Sequence, residues 1–166
     1  MIDPTDKAIL SLRLGELYAE ANAYFKRNFP LPELTYRRSG RHAGTAFLQQ
    51  NRINLNPVLL VHNRDAFIQD VLPHEVSHLL VYQLFGRVKP HGKEWQSVMR
   101  DVFHCAPETR HDFDLAPLNL RTAEYRCDCG PVALSIRRHN AVMRGQKQYK
   151  CRQCKQLLKP SNAVTP

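Results

Sequence analysis

Nothing in this 166-residue sequence stays apolar for long enough to cross a bilayer, which takes roughly 20 consecutive apolar residues. The opening Met1-Ile-Asp-Pro-Thr-Asp-Lys7 lacks the basic and apolar blocks of a secretion signal and runs straight into a helical pattern. The expectation is a cytoplasmic protein with no membrane association. Thiols stay reduced in that compartment, so the five cysteines read as thiols or metal ligands rather than disulfides. Acidic residues are nearly missing from one end. Residues 121–166 hold 2 Asp+Glu against 10 Lys+Arg, a balance of +8, whereas residues 1–120 hold 13 against 14, a balance of +1. The net charge of +9 therefore belongs to the last quarter, which also carries four of the five cysteines. The remainder has the composition of one soluble globular core with a small appendage. The expected division is a domain over 1–120, a basic module over 121–160 and a disordered tail over 161–166.

The chain is organised around Val71-Leu-Pro-His-Glu-Val-Ser-His-Leu-Leu-Val81. On a helix, His74 and His78 stand at i and i+4, one above the other on one face. Two imidazoles so placed suit one Zn²⁺, which brings the pKa of water bound to it to about 7. Glu75, one step round the helix, is then the general base that takes the proton. The flanking Val71, Leu72, Leu79, Leu80 and Val81 are those of a core helix, on which three polar side chains need partners. Pro73 sits inside this helix, where it removes a donor and predicts a kink or a new turn. A catalytic zinc takes three protein ligands, so a third is needed. His91, in Val88-Lys-Pro-His-Gly-Lys-Glu-Trp95, follows Gly86 and Pro90, which let the chain turn back. It lies four residues before Trp95, on the side of the apolar stripe Trp95, Val98, Met99 and Val102, whereas the rival Glu94 does not share that stripe. The metzincin arrangement is excluded, because Val81 and Leu84 stand where it has Gly and His.

Around this helix the chain reads as a small α+β domain. Apolar residues at Leu10, Leu14, Leu17, Ala21 and Phe25 predict an amphipathic helix, capped by Thr5 or Asp6 and ending near Asn28. Glu33–Arg37 reads as a strand, and Arg37–Gly44 as a solvated glycine-containing loop. Thr45–Leu48 and Arg52–Asn56 predict a hairpin, with Ile53 and Leu55 on one face and Arg52, Asn54 and Asn56 on the other. An exposed strand beside a metal cleft would hold an extended peptide by its main chain. Asn63 or Asp65 is the expected cap of the central helix, which stops at Gly86. His42 and His62 receive no role; Cys105 reads as a small core residue and His111 stays undecided.

The C-terminal module has Tyr125-Arg-Cys127-Asp-Cys129-Gly130 and Tyr149-Lys-Cys151-Arg-Gln-Cys154, each half with a tyrosine two residues before its first cysteine. Cys127, Cys129, Cys151 and Cys154 form a structural zinc site that supplies much of so small a module's stability. The first pair is C-x-C, a strained chelate, so His139 stands as a substitute for Cys129. Val132, Leu134 and Ile136 alternate as a strand. Arg126, Arg137, Arg138, Arg144, Lys147, Lys150, Arg152, Lys155 and Lys159 leave the module about +6 even with four thiolates on zinc. That charge fits nucleic-acid backbones, with Tyr125 and Tyr149 as stacking surfaces for bases.

Taken together, these motifs resemble the SprT family of bacterial zincin-like proteins. The match also takes in Ala43-Gly-Thr-Ala46, Ile53-Asn-Leu-Asn-Pro57, Phe85-Gly-Arg87 and Arg137-Arg-His-Asn140. The resemblance implies an α+β minimal zincin core followed by a zinc ribbon, with His74, His78 and His91 on a catalytic zinc and Glu75 as base. Distant relatives of the Spartan type are DNA-dependent proteases acting on proteins crosslinked to DNA. By that analogy the expectation is a monomeric metalloprotease that cuts DNA-associated proteins and binds DNA through its ribbon. The competing expectation is a non-catalytic, transcription-related regulator whose zinc sites are structural.

Overall fold

A proline at the first helical position needs no donor, and the aspartate before it satisfies the next free N–H. In the computed structural model, which describes residues 2–38 and 40–165 (162–165 as backbone only), α1 (Pro4–Phe25) begins this way. Asp3 accepts from the Thr5 N–H at 2.7 Å, so the cap is Asp3 rather than Thr5 or Asp6. Leu10, Leu14, Leu17 and Ala21 are buried, as their spacing predicts. The helix stops at Lys26, in the left-handed region at φ 50°, a little before the expected Asn28. The Asn22 side chain accepts from the Phe29 N–H at 2.9 Å and fixes the exit.

The chain divides into two compact units, Met1–Leu118 and Asn119–Pro166. In the first, β1 (Glu33–Thr35), β2 (Gly44–Phe47) and β3 (Arg52–Leu55) form a mixed sheet in the order β1-β3-β2. β3 pairs parallel with β1 and antiparallel with β2, in the register Gly44↔Leu55 to Phe47↔Arg52. A 3-10 turn at Leu48–Gln50 and the left-handed Asn51 close the expected hairpin. The polar face of β3 departs from expectation: Asn54 is 3% exposed and Asn56 fully buried. Residues 36–38 and 40–43 strap over them. Asn54 accepts from the Arg37 N–H and donates to the Arg37 carbonyl, both at 2.8 Å, while Asn56 donates to the His42 carbonyl at 3.2 Å. Arg37, Arg38 and Arg41 are exposed, Arg38 donating to the Leu118 carbonyl, so the loop is solvated on one side only; Ser39 lies outside the described residues.

Asn56 also accepts from the Val58 N–H at 3.1 Å and so caps α2 (Pro57–His62). α3 (Arg64–Ala66) then leads through a widened π-helical turn at Phe67–Val71 into α4 (Leu72–Phe85). Asn63 does not cap with its side chain, which donates to the Leu59 carbonyl at 2.8 Å. The widened turn lies immediately ahead of Pro73, which is how the helix accommodates a residue that cannot donate. Gly86, at φ 70°, ends α4. α5 (Lys93–Ser97) continues through a second wide turn at Val98–Val102, burying Trp95, Val98, Met99 and Val102. These pack with Val76, Leu79 and Leu80 of α4 and the apolar face of α1 in one core. At about 1.5–3 kcal/mol for each large side chain removed from water, this cluster is the main force holding α4 in place. Among the described residues no helix is long and apolar enough to cross a membrane.

The second unit is a three-stranded antiparallel sheet in the order β5-β4-β6, made of β4 (Thr122–Cys127), β5 (Gly130–Ser135) and β6 (Lys159–Thr165), with α6 (Ile136–Met143) following β5. Its core is small: Ala123, Tyr125, Leu134, Cys151 and Leu158. The expected tail from Ser161 is instead backbone paired with β4 as far as Thr122↔Thr165, with Pro166 outside the described residues. β4 carries an open ladder of N–H and C=O groups on that side, and the last residues satisfy it.

Candidate metal centre

α4 delivers His74 and His78 to one face, with their Nε2 atoms 3.2 Å apart. His91 arrives from the turn before α5, held at φ 56°. Its Nε2 lies 3.1 Å from that of His78 and 3.0 Å from that of His74. Tetrahedral ligation at 2.0–2.1 Å separates ligand atoms by about 3.3 Å, so the triangle is the size a single zinc ion requires. Three neutral imidazole nitrogens cannot all satisfy one another by hydrogen bonding, whereas one cation satisfies all three lone pairs. Glu94 does not join this group among the described residues, and no fourth protein ligand does.

The rings share one packing partner, Trp95, and the backbone around them is held by hydrogen bonds. The backbone of Glu108 hydrogen-bonds His74. The Trp95 Nε1–H donates to the His74 carbonyl at 3.2 Å, and its ring packs 4.7–5.6 Å from all three imidazoles. Gln96 donates to the His91 carbonyl at 3.0 Å, and Ser77 to the Pro73 carbonyl at 2.8 Å inside α4. Burial holds His74 down to about 4 and His78 to about 3, and lowers His91 as well. The rings are therefore neutral near pH 7 and have lone pairs free for a metal.

Glu75 is 8% exposed and lies against β2, at the bare Cα of Gly44. Burial pushes its carboxyl up to about 7, while a hydrogen bond from the Ala46 backbone pulls the other way. A cleft of about 1000 Å³ opens over Glu75 and the three histidines. β2 forms one wall, and the segment 106–113, with Glu108 and His111, forms another. His42, given no role from sequence, lines this cleft too. His111 stacks on Phe113 at 4.2 Å, Phe113 stacks on Phe67 at 5.7 Å, and the Phe113 N–H donates to His111 Nδ1 at 3.4 Å. That arm carries no periodic pattern. Phe113, an apolar residue in a polar stretch, was its one sequence signal.

In the second unit the Sγ atoms of Cys127, Cys129, Cys151 and Cys154 all lie within 4.8 Å of one another. The C-x-C pair is brought round at the β4–β5 turn by Gly130, at φ 121°. His139 is elsewhere, with its Nδ1 3.1 Å from the Tyr125 hydroxyl, so it does not substitute for Cys129. Gln156 ties the two cysteine turns together, accepting from the Asp128 N–H at 3.1 Å and donating back to the Asp128 carboxylate. Backbone N–H groups of Cys154 and Gln153 hold the Cys151 thiol down to about 6. Cys129, hydrogen-bonded to Cys154, is pushed up to about 12, and burial raises Cys127. One thiolate thus forms readily, and a metal that displaces the remaining protons completes the set.

Arg126, Arg137, Arg138, Arg144, Lys147, Lys150, Arg152 and Lys155 are all exposed. The tyrosines are not free platforms. Tyr125 is fully buried in the small core, which removes it as a stacking surface, because so small a module needs a large aromatic inside. Tyr149 is half-buried, with the Arg138 guanidinium 5.5 Å from its ring centroid.

Compared with models of known families, residues 14–112 match the SprT-like family and residues 124–162 the SprT-like zinc ribbon domain. Curated relatives, each called Protein SprT, are similar to this chain in sequence along most of their length. The one from Shewanella oneidensis is 53% identical over 142 residues, covering 86% of this chain and 91% of the relative. The Pasteurella multocida protein is 53% identical over 143 residues, covering 86% and 87%. The Actinobacillus succinogenes protein is 44% identical over 160 residues, covering 96% and 94%.

Proposed function

This chain belongs to the SprT-like family of zinc-binding proteins, and from that premise we propose that it is a zinc-dependent peptidase acting on proteins associated with DNA. The observation that carries the peptidase half is the Nε2 triangle of 3.0–3.2 Å with Glu75 beside it in one cleft. His74, His78 and His91 would hold the zinc, which when bound acts as a Lewis acid toward the scissile carbonyl and acidifies water. Glu75, buried beside the three imidazoles, is placed to take a proton from the attacking water and return it to the departing amine. β2 is an edge strand and lines the cleft with Thr45 and Ala46, which suits a peptide in extended form. Cys127, Cys129, Cys151 and Cys154 would hold the second zinc, whose role is structural.

The DNA half is supported by charge alone: eight exposed Lys and Arg side chains on a unit with a balance of +8. The absence of a fourth protein ligand among the described residues favours catalysis over a closed structural site at the histidines. The test is Glu75→Gln in the full chain, assayed against a DNA-bound protein. Zinc content is expected to stay at two per chain and cleavage to vanish. Cleavage at the wild-type rate would remove Glu75 from the chemistry.

A further inference from the structure

Gly44 has no backbone reason to be glycine. It lies in regular strand opposite Leu55, outside the left-handed region, where a side chain would ordinarily help the strand. What a side chain there would meet is specific. A Cβ at position 44 would stand 2.6 Å from Cγ, 2.7 Å from Oε1 and 3.0 Å from Cδ of Glu75, and no other residue supplies its three nearest atoms. The strand is not free to retreat. Just before it, the Ala43 carbonyl accepts from the Asn56 N–H at 2.7 Å, and the His42 carbonyl accepts from the buried Asn56 side chain. Ala43 is itself in the core. Two residues on, the Ala46 backbone hydrogen-bonds the same Glu75 carboxylate.

We propose that Gly44 is a positioning residue: its missing side chain is the space in which the Glu75 carboxylate is held, and Asn56 pins the strand that bounds that space. The steric half of this inference stands on the packing alone, while its catalytic consequence rests on the peptidase reading. A methyl at position 44 forces Glu75 away from the Ala46 backbone and out of its buried position without touching His74, His78 or His91. Shortening Glu75 to alanine removes all three of the closest approaches to that methyl. Its effect on stability therefore changes sign with the residue at 75: a clash where Glu75 is present, a gain in strand propensity and a loss of unfolded-state freedom where it is absent.

The experiment is a double-mutant cycle on the full, zinc-loaded chain: wild type, Gly44→Ala, Glu75→Ala and the pair together, each followed by thermal unfolding and zinc content. Gly44→Ala is expected to lower the Tm of the first unit by about 5 °C in the protein that has Glu75. In the Glu75→Ala background it is expected to leave the Tm unchanged or raise it, with two zinc ions per chain in all four proteins. Equal effects in the two backgrounds, or none in either, would overturn the inference. In parallel, cleavage of denatured casein with and without DNA is measured for Gly44→Ala. A fall in kcat of tenfold or more, with KM within twofold, supports positioning, and a wild-type kcat contradicts it. Should the wild-type chain cut nothing, the peptidase reading fails, and the thermal cycle still decides what Gly44 does.

Discussion

At the scale of single residues, the motif histidines and Glu75 carry opposite responses to acid. In chelator-stripped protein, His74 and His78 titrate at about 4 and about 3, below the ordinary 6.5 of the unfolded chain. Their contribution is complete above pH 6.5 and is lost as the pH falls, because the unfolded state then binds the protons. Glu75 titrates at about 7 against an ordinary 4.5, so its contribution is complete below pH 4.5 and is lost as the pH rises toward 7. Between those limits roughly two protons favour the unfolded state and roughly one the native state, so stability should fall on acidification from 6.5 to 4.5. Glu75→Gln removes the opposing proton. Its stability should therefore fall more steeply over this range than the wild type's, and a shallower fall in a Tm-against-pH series would contradict the assignment. Trp95→Phe keeps the ring beneath the three imidazoles and removes only the donor to the His74 carbonyl. Zinc affinity, by competition with a chelator, is expected to drop roughly tenfold.

Elements show why part of the site was legible in sequence and part was not. Periodicity located α1, α4 and the apolar face of α5, and the position of His91 relative to Trp95 placed it beside the motif, because all of these follow from helical geometry. Asn54 and Asn56 defeat the same logic. Alternation put them on a polar face, but that face is covered by a loop whose carbonyls and N–H groups they satisfy, and single-strand patterning does not register a distant loop. The arm 106–113 is similarly silent, since it is shaped by Phe113 stacking and a backbone bond to His74 rather than by any repeat. Asn56→Ala would strand the His42 carbonyl and the first N–H of α2. A loss of about 2–4 kcal/mol is expected in denaturant unfolding, against near zero if the loop simply hydrates.

For the whole molecule, the division of charge and cysteine along the chain anticipated two units, and the metal groups fall one to each. Among the described residues of the second unit only five are buried, too few to hold so short a segment without help. Cys151→Ser is expected to cost one zinc and unfold that unit, seen as loss of amide protection over 122–160, while the transition of the first unit stays where it was. Tyr125 illustrates what composition hides: an aromatic in a basic module suggests base stacking, yet the small core claims it. Nucleic-acid binding would then rest on phosphate contacts. Charge reversal at Arg137, Arg138 and Arg152 should reduce the slope of log K against log salt by roughly 2–3. An unchanged slope would remove this unit's assigned role.

The most direct test of the central claim is the zinc content of the purified chain beside that of His91→Ala. Convergence of His74, His78 and His91 on one ion predicts two zinc ions per chain in the first and one in the second, with the cysteine site still filled. Two tightly held ions in His91→Ala would contradict it.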